Sequence, residues 1–250
     1  MNLLVDIGNS RCKWALSIPH AQAELVSFGY LTPDIDLDSQ FEHIEKISGA
    51  PGQMMVVSVA KTDVTAKLLT ALQQRWPALR IRHFTTSARA FGVTNAYAAA
   101  ETLGADRWAA LIGAHSILPA NAVIADCGTA VTLDVLTARG AHLGGYILPG
   151  LKMMREALHK GTAALPFAAG RGGIGVAQNT HDAIGSGTLL SLIAAIEAVV
   201  NAQAEMTHTK VECLLTGGDA EVIGGHLSIS YRYEPDLVLK GLAIAIDAEV

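Results

Sequence analysis

The sequence has little cysteine, little aromatic side chain and no cluster of basic residues. Its cysteines, Cys12, Cys127 and Cys213, stand far apart with no CxxC pair. That pattern supports neither a disulfide framework nor a zinc site, so a reducing cytoplasm is the simplest compartment. None of the nine histidines falls in an HExxH spacing, and His115 and His181 read as isolated polar residues. Aromatics make up 5% of the chain, while the hydrophobic half is rich in alanine, which favours helices and close packing. The net charge of −5 argues against a nucleic-acid surface, because phosphate neutralisation needs clustered Lys and Arg. No basic segment precedes an apolar one near the start, so no signal peptide is read. The most apolar stretch, Leu189 to Val200, carries Ser191 and Glu197 and is too short to cross a bilayer. No GxxxxGK[ST] motif occurs. GRGGIG (Gly170 to Gly175) satisfies GxGxxG, but a proline-interrupted loop precedes it where a dinucleotide site needs a strand. The expectation is a cytoplasmic protein without nucleic-acid or membrane partners.

What is present is a repeat. At 250 residues there is room for one large domain or two ordinary ones. Apolar patterning predicts strands at Leu3–Ile7, Lys13–Ser17 and Glu24–Tyr30, a helix at Asp38–Ile47, and a strand at Gln53–Ala60. A helix at Asp63–Trp76 and a strand at Leu79–Phe84 complete the series. Strands at Ala122–Asp126, Val131–Leu136 and Ala141–Ile147 then open a second one. It continues with helices at Leu151–Lys160 and Thr180–Met206, a strand at Val211–Thr216, a short helix after Asp219 and a terminal helix at Leu237–Asp247. LLVDIGNSRCKWAL (Leu3 to Leu16) aligns without gaps on VIADCGTAVTLDVL (Val123 to Leu136). One DxG turn is mostly structural; two, each opening a three-strand series, point to internal duplication. The boundary is placed near residues 115–121, where Ser116 to Asn121 contains Pro119, giving domains 1–117 and 118–250.

Together the two DxG turns carry the groups that phosphoryl transfer needs. Gly8 and Gly128 let backbone N–H groups approach an anion, and Asn9, Ser10 and Thr129 add neutral donors. Lys13 brings a cation, and Asp6 and Asp126 can bind a metal ion. LLTGGDA (Leu214 to Ala220) is a strand ending in a small-residue turn, a candidate adenosine site. In NAYAAAETLGADRWAALIGA (Asn95 to Ala114), Asp106 and Arg107 open an amphipathic helix. Read blandly, Asp106 complements the helix dipole beside a solvated Arg. Read sharply, Asp106 is a base toward a substrate hydroxyl, and Arg107 keeps it ionised and binds an acidic substrate.

These residues closely resemble the type III pantothenate kinases, members of the acetate and sugar kinase, Hsp70 and actin superfamily. The resemblance spans nearly the whole chain. It runs through DIGNSRCKW (Asp6 to Trp14), NAYAAAETLGADR (Asn95 to Arg107), DCGTAVTLD (Asp126 to Asp134), GGYILPG (Gly144 to Gly150), NTHDAIGSG (Asn179 to Gly187) and TGGDA (Thr216 to Ala220). It implies an α/β fold of duplicated actin-like (ribonuclease H-like) domains, each β-β-β-α-β-α-β-α, with the active site in the cleft between them. It also implies ATP-dependent phosphorylation of pantothenate, the first step of coenzyme A synthesis. By this resemblance Asp6, Ile7, Gly8, Asn9, Ser10, Arg11, Cys12 and Lys13 hold the ATP phosphates and Mg²⁺, and Thr129 adds a contact. Asp126 binds a monovalent cation, K⁺ or ammonium, and Asp106 accepts the proton. Tyr97, Gly104, Ala105, Asp106 and Arg107 line the pantothenate pocket, and Thr180 completes it from the neighbouring subunit of a homodimer. Two positions depart from the family pattern: Ser10 stands where Thr is usual, and Ala100 where Pro is usual. The alternatives are a related small-molecule kinase, or a non-catalytic transcription accessory protein of the same fold.

Overall fold

The computed structural model of the chain describes residues 1–9, 11–21, 24–31, 37–59, 62–168 and 173–248. They fall into two compact units, Met1–Ile117 with Asp236–Val250, and Leu118–Pro235.

In the first unit, β1 (Asn2–Ile7), β2 (Cys12–Ser17) and β3 (Leu25–Leu31) form an antiparallel meander. β4 (Gln53–Ser58) and β5 (Arg80–His83) add in parallel on the far side of β1, giving the order β3-β2-β1-β4-β5. The β4 strand ends before Ala60, which lies outside the described residues. Leu3, Leu4, Val5 and Ile7 are all fully buried, as a central strand covered on both faces requires. One face packs on α1 (Leu37–Ser48) and α2 (Thr62–Arg75), with Val5, Ile7, Trp14, Phe41, Ile44, Leu68 and Leu72 in a single core. The Trp14 indole lies over Gly29, where any side chain would meet it: a Cβ there would stand 2.8 Å from Trp14 Nε1.

The other face is covered by α3 (Ala105–Ile117) and α7 (Leu237–Ala248), which pack on each other and on β4; α7 also packs on β1. Gly113 and Gly241 make this possible. A Cβ on Gly241 would collide with the Ala109 carbonyl, and one on Gly113 with the Leu237 carbonyl. A small hairpin, β6 (Arg89–Ala90) and β7 (Val93–Thr94), turns through Phe91 and Gly92, both at positive φ. It lies in a stretch where sequence patterning predicts no element.

The second unit repeats the sheet. β8 (Ala122–Cys127), β9 (Ala130–Leu136) and β10 (His142–Pro149) are antiparallel; β11 (Glu212–Thr216) and β12 (Arg232–Tyr233) add in parallel, giving β10-β9-β8-β11-β12. The strand β12 is too short to register as apolar alternation. α4 (Leu151–Gly161), α5 (Thr180–Thr207) and α6 (Ala220–Gly224) complete the unit. α5 is long and apolar enough to span a membrane by length and composition, a length that the Leu189–Val200 stretch understates. Its Leu189, Leu192, Ile193, Ile196 and Val200 are buried against Val123, Leu133 and Leu215 of the sheet, the spacing of a helix with one core face.

Two expectations need correction. The terminal helix α7 groups with the first unit, so the division is not 1–117 and 118–250. Helical periodicity makes α7 a helix but does not say which sheet it covers; the glycine contacts with α3 decide that. The repeat is also not gapless. Asp6 stands opposite Lys13, whereas Asp126 stands opposite Thr132, so the first turn holds one residue more. Lys13 therefore corresponds to Thr132, and core-facing Trp14 to core-facing Leu133. A slip of one residue would put each side chain on the wrong face.

Candidate active site

In the first unit the Gly8 N–H donates to the Arg11 carbonyl at 3.0 Å, closing the loop between β1 and β2. Ser10 lies outside the described residues. Because side chains alternate along a strand, Ile7 and Cys12 point into the helix-covered core, 0% and 3% exposed. Burial, and secondarily the Asp6 charge, pushes the Cys12 thiol up to about 12. Asp6 and Lys13 stand directly opposite each other on the other face, both half-buried, and Asn9 and Arg11 are exposed at the loop. Within this segment, side-chain chemistry toward a ligand thus falls to Asp6, Asn9, Arg11 and Lys13 among the described residues.

The same unit holds the α3 N-terminus. Trp108 N–H bonds the Gly104 carbonyl at 3.0 Å, and Asp106 lies in the first turn, where the helix dipole favours a carboxylate. Asp106 Oδ1 accepts from Arg107 N–H at 2.8 Å. Gly104 leaves room for that carboxylate: a Cβ there would stand 2.6 Å from Asp106 Oδ1. Arg107 is not a solvated surface residue but 7% exposed. Its Nη1 donates to the Tyr97 hydroxyl at 3.2 Å, and its guanidinium lies 5.8 Å from the Tyr97 ring centre. Motif reading gave no role to Asn95, which holds this loop together. Its Oδ1 accepts from Tyr97 N–H at 2.9 Å, an Asx turn, while Nδ2 donates to the Ala100 carbonyl at 3.2 Å. The signal available was an Asn two residues ahead of Tyr97.

In the second unit three motifs from distant parts of the chain meet. Gly150 N–H, at the N-cap of α4, donates to the Thr129 carbonyl at 3.0 Å, and a Cβ on Gly150 would collide with the Gly128 carbonyl. Asp219 N–H donates to the Cys127 carbonyl at 2.9 Å, tying the TGGDA turn to the end of β8. Gly217, at φ +91°, lies against the Asp126 carboxylate. Thr132, Asp126 and Thr216 form one row across β9, β8 and β11. Burial and the neighbouring Asp126 charge push the Cys127 thiol well above its ordinary range. Thr129 is exposed. Asp134, deeper on β9, is hydrogen-bonded to the buried His142 ring, Oδ1 to Nε2 at 2.9 Å.

Thr180 is the exposed first residue of α5, whose N-cap Asn179 accepts from Asp182 N–H at 2.9 Å. Of GRGGIG, residues 170–172 lie outside the described residues. Among the described residues no three His, Cys, Asp or Glu side chains gather to hold a metal ion. Asp6 and Asp126 are single hard oxygen donors, the kind that hold an ion whose shell is completed by phosphate, carbonyl and water oxygens.

Residues 2–202 match the family profile described as type III pantothenate kinase. A type III pantothenate kinase from Halorhodospira halophila is 37% identical, covering 97% of this chain and 96% of that one. Among solved structures, a Campylobacter jejuni protein assigned to the Baf family of transcriptional activators superposes with a TM-score of 0.63 at 19% identity, covering 99% of this chain and 100% of that one. A Sinorhizobium meliloti protein assigned as a 2-dehydro-3-deoxygalactonokinase gives 0.58 at 14% identity, covering 99% of each chain. At those identities the structures speak to the fold alone: two like mixed sheets, consistent with duplicated actin-like domains.

Proposed function

We infer the division of labour among these residues from a plain starting point: the chain belongs to the type III pantothenate kinase family. It is a kinase, with ATP as phosphoryl donor and pantothenate as acceptor, and the reaction opens coenzyme A synthesis. The assignment of roles rests on the turn at Gly104–Arg107. There a carboxylate at a helix N-terminus is bonded to the backbone of a buried arginine, whose guanidinium is bonded to a phenol.

Asp106 is the proton acceptor. The primary hydroxyl oxygen of pantothenate bonds to the γ-phosphorus as the bond to the β–γ bridging oxygen breaks and ADP leaves. Because the transition state is loose, Asp106 chiefly orients the hydroxyl and takes its proton late. The Arg107 N–H on Oδ1 fixes the carboxylate for that task. Arg107 and Tyr97, with Gly104 and Ala105, bind pantothenate, whose carboxylate suits a guanidinium fork.

The segment Asp6 to Lys13 binds the ATP phosphates, with Thr129 adding a hydroxyl; Ile7 and Cys12 contribute backbone only. Asp6 holds Mg²⁺ and Asp126 holds K⁺ or ammonium, ions that neutralise phosphate charge when bound. Thr180 completes the pantothenate pocket across a homodimer. Support for pairing comes from Tyr146 and Ile147 on β10, which are 56% and 66% exposed. A cytoplasmic enzyme without nucleic-acid or membrane partners fits the −5 net charge and the core role of α5.

The test is a coupled ATP–pantothenate assay with K⁺ present and then omitted, run on wild type and Asp106→Ala. The expected result is K⁺-dependent turnover that Asp106→Ala abolishes while ATP still binds. Near-normal turnover in the variant would remove Asp106 from the role, and preference for another acceptor in a substrate panel would overturn the acceptor assignment.

A further inference from the structure

Tyr30 is an aromatic residue that burial does not explain. It sits on the edge strand β3 and is 55% exposed. Its direction is set by its neighbour: Gly29 is covered by the Trp14 indole on the core face, so Tyr30 must point to the opposite one. There it stands opposite Lys13, which stands opposite Asp6. Tyr30, Lys13 and Asp6 thus form a row across β3, β2 and β1 that ends at the loop assigned to phosphate. The Arg11 guanidinium, from that loop, lies 5.9 Å from the Tyr30 ring centre, within cation–π range.

A guanidinium held over a ring differs from one in a salt bridge. A salt bridge occupies N–H donors with carboxylate oxygens, whereas attraction to a ring leaves them able to bond phosphate oxygens. The contact also limits the rotamers of an otherwise exposed arginine, so less freedom is lost when an anion arrives. We propose that Tyr30 is a positioning residue for ATP: it holds the Arg11 guanidinium for the terminal phosphates. The proposal rests on the reading of Asp6–Lys13 as the phosphate loop.

The experiment is steady-state kinetics and thermal melting on Tyr30→Phe, Tyr30→Leu, Arg11→Met and the Tyr30→Leu/Arg11→Met double variant. Tyr30→Phe keeps the ring and should match wild type. Tyr30→Leu should raise KM for ATP by about two- to five-fold, the worth of an exposed cation–π contact. Its kcat, KM for pantothenate and melting temperature should stay near wild type. Arg11→Met should raise KM for ATP at least as much, and the double variant no further. Additive effects, or an unchanged KM for ATP in Tyr30→Leu beside a raised one in Arg11→Met, would overturn the role of Tyr30 alone. If neither Arg11→Met nor Lys13→Ala changed KM for ATP, the phosphate loop itself would be misassigned. Should Tyr30→Leu fail to fold, Tyr30→Gln carries the same comparison.

Discussion

A Cβ on Gly217 would stand 2.5 Å from Asp126 Oδ1. The turn that ends β11 is thereby pressed against the carboxylate that ends β8, and only a glycine permits it. Gly217→Ala would both strain a φ of +91° and push the carboxylate aside. The expected outcome is a higher K⁺ concentration for half-maximal activity, with stability lower by about 1–3 kcal/mol. A potassium titration of the purified variant measures it, and an unchanged response would separate Asp126 from the cation.

Arg107 is bonded through Nη1 to the Tyr97 hydroxyl and its guanidinium lies 5.8 Å from the ring centre, so charge alone is not its contribution. Arg107→Lys keeps the charge and loses the fork. It should raise KM for pantothenate by about ten-fold or more, the range of a hydrogen bond to a charged group, while KM for ATP stays near wild type.

Gly241 lies against the Ala109 backbone where α7 crosses α3. Gly241→Ala should separate the helices and destabilise the protein by about 1–3 kcal/mol, read from denaturant midpoints. KM values should be unaffected in whatever fraction remains folded.

Cys12 and Cys213 are each pushed up to about 12 by burial, from an ordinary value near 9. Native protein should therefore resist thiol reagents at neutral pH and react once unfolded. Since the folded values are the higher ones, their contribution to stability is complete below about pH 9. It is lost as pH rises from about 9 through about 12. Unfolding midpoints measured across that interval should fall; replacing both residues with alanine should flatten the slope.

Local chemistry was legible in the sequence wherever a turn announced it. The apolar runs ending in Asp6 and Asp126, the Gly104–Arg107 helix start and the TGGDA turn all stand where their patterns put them. The bland reading of Arg107 as a solvated residue failed because burial depends on what packs over a side chain, which no local spacing records. The scaffolding by Asn95 was visible only as a residue type two places from Tyr97.

By itself the sequence determined the longer strands and helices and their duplication, though not the short β6, β7 and β12, because period-two and period-3.6 burial and the DxG turns are local properties of a chain. Tertiary structure alone decided three things. It put one more residue in the first turn than in the second, because cross-strand pairing, not sequence identity, aligns Lys13 with Thr132. It gave α7 to the first unit, because two glycines let helix backbones touch. And it brought Gly150 and Gly217 against the second DxG turn, from positions whose separation along the chain hides that they share one strand end.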